Sequence, residues 1–138
     1  MVTCQSRDCN LEIVPLAAGR ELHRRGYDGN MRWLFFALIV VHGLIHFLGL
    51  AKAFGVYEPP QLTQSISRSW GLVWLAAGVA VMLAAVCFGL SWGGWWAVGL
   101  VAVALSQLAI FSSWNDAKFG TVANALVLVG MLYGFASE

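Results

Sequence analysis

The feature that most limits what this chain can fold into is the segment of residues 31–54, which holds about twenty apolar residues in a row. As an α-helix rising ~1.5 Å per residue, such a segment is long enough to cross a bilayer core of ~30 Å. The chain of 138 residues is 59% hydrophobic and only 11% charged, whereas a soluble domain has roughly 25% charged residues. We therefore expect an integral membrane protein.

Three further apolar segments follow the first, at residues 70–92, 95–113 and 119–136. Together the four segments predict an all-α, integral membrane four-helix bundle that occupies residues 31–138. Glycine, alanine and serine recur at helical spacing along the last three segments, so that the helix backbones can approach each other closely.

The connections between the segments differ in length. Gly93-Gly94, flanked by tryptophans, predicts a tight antiparallel hairpin between the second and third segments. The loop of residues 53–69 is longer, and Pro59-Pro60 within it stops any continuation of the first helix. Its second half, residues 61–69, can form a short interfacial helix.

Residues 1–30 are predicted to form a polar N-terminal tail that can be disordered. Cys4 and Cys9 within this tail lack the C-x-x-C spacing of a metal or redox pair. Translation starting at Met31 is an alternative hypothesis. With the tail present, five basic residues precede or begin the first span and three lie in the opposite loops, which places both termini in the cytoplasm. A start at Met31 would reverse that assignment.

Polar side chains within the apolar segments mark a candidate ligand-binding site. His42 and His46 are four residues apart and share one helical face. Counted from the ends of each span, His42 lies near the midplane, and His46, Ser106, Gln107 and Asn124 lie in the half of the membrane opposite the N-terminus. Since polar groups within spans face the bundle interior, these residues predict a pocket formed by the first, third and fourth spans and opening toward the first and third loops.

Several functions remain open for this pocket. Buried histidine, serine and amide groups often only bridge helices. Two histidines are too few for an ordinary metal site, and haem ligation by both would need them on facing helices, as in an oligomer. A quinone or other small apolar ligand fits the residue types, and histidine also suits a proton or small-solute path.

Other classes of function have no support in the residues. No carboxylate lies within a span, and there is no G-x-S-x-G motif or phosphate-binding glycine loop, so no catalytic residue is assigned and an enzyme is not expected. The formal charge of +1 is not that of a nucleic-acid-binding protein.

The first span, from His42-Gly43-Leu44-Ile45-His46 to Gly49-Leu50-Ala51-Lys52, resembles the first helix of DoxX-like four-helix membrane proteins, in which a Gly-x-x-Lys element closes the span. The segment 114–124 is also similar to small bacterial membrane proteins loosely labelled permeases. The resemblance, over residues 31–137, implies a bundle in the bacterial cytoplasmic (inner) membrane. In some relatives it implies a membrane subunit associated with quinone-linked sulfur oxidation or redox homeostasis.

The leading interpretation is a non-catalytic membrane component that binds a small ligand or a partner subunit at the pocket of His42, His46, Ser106, Gln107 and Asn124. The alternatives are a quinone-linked oxidoreductase membrane subunit and a small-solute or proton permease. The expected surroundings are the lipid bilayer and, in addition, a membrane complex or a homo-oligomer.

Overall fold

The computed structural model describes residues 16–136, and within that range it describes the side chains of residues 29–133 and 135. Every regular element in this part of the chain is a helix. The helices are α1 (Leu16–Ala53), α2 (Arg68–Gly89), α3 (Trp95–Ser112), α4 (Trp114–Ala117) and α5 (Gly120–Ala136). The chain divides into two units, residues 1–32 and 33–138. The predicted tail falls in the first unit, and its residues 1–15, with both tail cysteines, lie outside the described range.

Three helices are long and apolar enough to cross a membrane: Gly29–Ala53 within α1, Arg68–Gly89 and Trp95–Ser112. Their outward faces carry exposed leucine, valine and phenylalanine side chains, as a lipid-facing surface requires. The prediction of an all-α membrane protein is thus confirmed. The fourth predicted span corresponds to α5, which is apolar but, at 17 residues, shorter than the other three.

The helix ends follow from local chemistry. Gly55, with a φ of +69°, turns the chain just after α1, in a backbone region that glycine enters without steric cost. The hydroxyl of Ser67 accepts a hydrogen bond from the Trp70 amide and caps the start of α2. Residues 61–67 form no helix, so the interfacial helix considered for residues 61–69 is absent. The backbone groups of Leu62, Thr63 and Gln64 instead bind side chains from other elements, as described below.

Close contacts between small residues and large side chains hold the second unit together. Helix α3 contacts α2, α4 and α5. Helices α1 and α2 approach each other where Gly49 lies against Trp74 and where Gly78 lies against Phe47. Buried side chains form two clusters along the helices: one includes Ile39, Val81, Ala84, Ala85, Trp95, Ala102, Val127 and Met131, and the other includes Leu62, Trp74, Ala77 and Ala109.

The two ends of the helices differ in structure. One end, here called the hairpin side, carries the turn of residues 90–94 between α2 and α3. The other end, the loop side, carries the loop of residues 54–67 and helix α4. The first hydrophobic cluster fills the hairpin side, and the second lies toward the loop side, next to the candidate site.

Candidate functional site

The two histidines of α1 are buried inside the helix bundle. His42 is 5% exposed and His46 is 1% exposed. Their rings meet edge to face, with centroids 4.9 Å apart. Because a helix repeats every 3.6 residues, the four-residue spacing places both rings on the face that packs inward.

The hydroxyl of Ser106 on α3 joins both histidines to α5. Its Oγ lies 3.0 Å from His42 Nε2 and 2.8 Å from His46 Nε2, and it donates to Asn124 Oδ1 over 2.9 Å. His42 Nε2 also lies 2.8 Å from Asn124 Oδ1. One buried hydroxyl thus connects side chains of three helices.

The hydrogen-bond network continues between α3 and α5. Asn124 Nδ2 donates to Gln107 Oε1, and Gln107 Nε2 donates to Thr121 Oγ1, each over 3.1 Å. The structure therefore brings together all five predicted residues, with Thr121 as a sixth. Thr121 was missed by the sequence reasoning, although its position three residues before Asn124 places both on one face of α5.

One ring nitrogen of the histidine pair has no hydrogen-bond partner. Nδ1 of His46 is buried and has no hydrogen-bond partner. A buried polar atom without a partner is unfavourable, so this nitrogen needs an explanation beyond helix bridging.

A cavity of about 420 Å³ lies beside the histidines on the loop side. Of the five predicted residues only His42 and His46 line it, whereas Ser106, Gln107 and Asn124 lie behind them. The other lining residues are mostly apolar and come from all of the long helices, α4 and the loop: Ile45, Leu48, Pro59, Gln61, Leu62, Trp74, Ile110, Asp116, Ala117, Phe119, Gly120 and Ala123. The walls are thus broader than the predicted set of first, third and fourth spans.

Trp74 on α2 is the largest side chain in the cavity wall. It is 2% exposed, its ring centroid lies 5.3 Å from that of His46, and its Nε1 donates to Ser112 Oγ over 3.2 Å. Sequence reasoning missed this role. The available signal was the position of Trp74 inside the second span, one helical turn beyond the interfacial Trp70.

The loop is tied over the cavity by a set of hydrogen bonds that we call the Asp116 clasp. Thr63 N donates to Asp116 Oδ2 over 2.6 Å, Thr63 Oγ1 donates to Oδ1 over 2.8 Å, and Gln64 N donates to Oδ2 over 2.8 Å. Lys52 adds a hydrogen bond to the carbonyl of Leu62. Asp116 thus joins α4 to the loop.

These contacts lower the pKa of the Asp116 carboxyl below its ordinary value of 3.8, chiefly through the Gln64 amide and then through the Thr63 hydroxyl. A carboxyl whose pKa is lowered in the folded state stabilises that state above its ordinary pKa. The contribution is lost as the pH falls through the lowered value. The clasp should therefore hold throughout the neutral and mildly acidic range and open only in strong acid.

We expect the amides of Thr63 and Gln64 to be protected from hydrogen exchange at neutral pH, and their protection factors to fall only below pH 3.8. Asp116→Ala should remove this protection at every pH. The amide of Gly71, which donates to the Ser67 carbonyl over 2.9 Å, serves as an internal control. Unchanged protection of Thr63 and Gln64 in the variant would contradict the assignment.

The described residues contain no group of three or more His, Cys, Asp or Glu side chains that could hold a metal ion. Cys87 is a free, half-buried thiol on α2 and packs with the hairpin-side cluster rather than the histidines. What the arrangement offers is a largely apolar cavity lined by two histidines, one of which has a buried ring nitrogen without a protein partner.

No family model matches the sequence, and no curated protein or solved structure shows significant similarity to it. The resemblance to DoxX-like proteins therefore stays a prediction. The fold and the composition define the class, an all-α membrane protein, and the function has to be argued from the cavity.

Proposed function

We propose that this protein is a non-catalytic membrane component that binds a small, largely apolar molecule in the cavity beside His42 and His46. The observation that carries the proposal is a cavity of about 420 Å³ lined by both histidines, together with a buried Nδ1 of His46 that has no protein partner. Ligand sites are typically apolar clefts of this size with a few polar groups that orient the ligand.

Helix bridging alone does not account for this arrangement. The Nε2 atoms of both histidines already bridge to α3 and α5 through Ser106 and Asn124. A bridging role needs neither the open space beside the rings nor a second ring nitrogen without a partner. The unused nitrogen and the cavity therefore favour a bound molecule.

The hairpin side supports binding over passage through the membrane. The buried polar side chains of the described residues are His42, His46, Ser106, Ser113 and Asn124, and the hairpin-side cluster consists of apolar side chains. Polar or charged solutes crossing a membrane need polar partners along the path. We therefore propose a site that opens only to the loop side, with α5 as the fourth membrane crossing.

The test is to purify the protein in native lipid discs, extract the bound small molecules and identify them by mass spectrometry. We expect a species that is retained by the wild type and lost from His46→Leu. Leu44→Ala is the matched control, because Leu44 lies two residues away on the same helix and is 53% exposed to the lipid side. Identical extracts from all three proteins would contradict the proposal.

The same extract separates the alternatives. A quinone lost from His46→Leu would favour the oxidoreductase subunit that the DoxX-like resemblance implies. Solute or proton flux into proteoliposomes that falls in His42→Leu, with no retained species, would favour the permease instead.

A further inference from the structure

We propose that the ligand of this cavity is a hydrogen-bond donor, an apolar alcohol or phenol whose hydroxyl donates to Nδ1 of His46. This inference rests on the proposed function and names the chemical class of the ligand. It follows from where the hydrogen atoms of the buried network have to lie.

The hydroxyl of Ser106 determines which nitrogen of His46 carries the ring proton. A serine hydroxyl has one hydrogen and two lone pairs, and the hydrogen of Ser106 is directed to Asn124 Oδ1. Only lone pairs remain for the two histidines. The contact of 2.8 Å between Ser106 Oγ and His46 Nε2 must therefore be donated by the imidazole, so the ring proton of His46 lies on Nε2.

The amide groups agree with this direction. Asn124 uses its Nδ2 to donate to Gln107 Oε1, and Gln107 uses its Nε2 to donate to Thr121 Oγ1. Asn124 Oδ1 then accepts from both Ser106 Oγ and His42 Nε2. Every hydrogen bond of the network runs from the histidines toward Thr121.

The position of the ring proton determines the role of the other nitrogen of His46, Nδ1. In a neutral imidazole with the proton on Nε2, Nδ1 is an acceptor, and here it has no protein donor. A ligand that offers an O–H group satisfies it, whereas a ketone or an ether places a second acceptor against it and leaves both unpaired. The mostly apolar walls require that the rest of the ligand be apolar.

The polar residues that line the cavity beside the histidines, Gln61, Trp74 and Asp116, make no hydrogen bond to this nitrogen. The carboxylate of Asp116 is itself an acceptor and is engaged by Thr63 and Gln64. The indole N–H of Trp74 donates to Ser112. A hydroxyl on the ligand is the complementary group.

Matched probes test the inference directly. We would measure binding of 1-naphthol and of its methyl ether, 1-methoxynaphthalene, and of 4-propylphenol and its methyl ether, to the protein in lipid nanodiscs, with empty nanodiscs subtracted. Each ether keeps the oxygen acceptor and the apolar body but lacks the donor. We expect at least one phenol to bind about tenfold more tightly than its ether, the ratio expected for loss of one buried hydrogen bond.

The discrimination should depend on His46. His46→Leu should bring the ratio of the two affinities close to one, and Leu44→Ala should leave it unchanged. A phenol and its ether that bind the wild type equally well would overturn the donor inference and leave the proposed cavity function standing. Probes that all fail to bind above empty nanodiscs would contradict both.

A second measurement, of the ring nitrogen shifts of the histidines, keeps His46 in place and so does not depend on whether a His46 variant folds. In protein labelled with ¹⁵N-histidine and assigned with single substitutions of the other two histidines, the ring shifts of His46 should report a proton on Nε2 and none on Nδ1. If both amides and the Ser106 hydroxyl are turned the other way, the proton lies on Nδ1 and the site binds acceptors. That result would overturn the inference.

Discussion

Gly49→Ala is expected to lower the free energy of unfolding by about 3 kcal/mol, the upper end of the usual cost of overpacking a buried contact. A Cβ at this position would lie 2.2 Å from Trp74 Cδ2 and 2.3 Å from Trp74 Cε3. The indole ring is the buried wall of the cavity and is held by its hydrogen bond to Ser112. To relieve this overlap the indole ring must leave its packed position or α1 and α2 must separate, and either change costs native contacts.

The measurement is unfolding in mixed micelles with increasing sodium dodecyl sulfate. Gly29→Ala is the control, because a Cβ there meets nothing within 4 Å. Alanine is also favoured over glycine within a helix, so the control should be neutral or more stable by up to about 1 kcal/mol. Equal stability of the two variants would show that α1 and α2 do not approach as described.

Gly49→Ala should also weaken ligand binding, since it displaces Trp74 from the cavity wall. The Gly-x-x-Lys element that resembles DoxX-like first helices therefore has a steric reason here: its glycine admits the indole ring. Its lysine, Lys52, donates to the loop carbonyl of Leu62 and lies 3.6 Å from the carboxylate of Glu58.

Asn124→Leu is expected to destabilise the protein by about 2 kcal/mol, because it removes three hydrogen bonds worth about 0.6 kcal/mol each in a membrane. Leucine has the same heavy-atom branching as asparagine but a larger volume, so overpacking at this buried position would add to the loss of the polar groups. The side chains of His42, Ser106 and Gln107 each lose a buried partner. Unfolding in dodecyl sulfate again measures the loss.

Thr121→Val provides the graded comparison for this network. Thr121 accepts one hydrogen bond, from Gln107 at the end of the chain, so its replacement should cost about 0.6 kcal/mol. If both variants lose the same amount, the network does not depend on Asn124 as its centre. A larger loss in Asn124→Leu supports the place of Asn124 at the centre of the network.

Predictions from sequence succeeded for features that depend only on helix periodicity or on the composition of a single segment. The length and apolarity of residues 31–54 predicted a spanning helix, and the spacing of His42 and His46 predicted one inward face. Ser106, Gln107 and Asn124 could be placed with them because depth along a span follows from counting residues. The interfacial helix considered for residues 61–69 does not form over residues 61–67, where the clasp joins Thr63 and Gln64 to Asp116, a partner about fifty residues away.

By itself, then, the sequence determined that this is an all-α membrane protein with its polar side chains gathered in one half of the helices. Burial in lipid leaves the backbone no alternative to helices, and buried polar groups must find each other. Only the tertiary structure decided that Trp74 forms the cavity wall, that Asp116 holds the loop over it, and that Nδ1 of His46 stays without a partner. These outcomes depend on how side chains of different helices fill space against one another, and no local pattern encodes that.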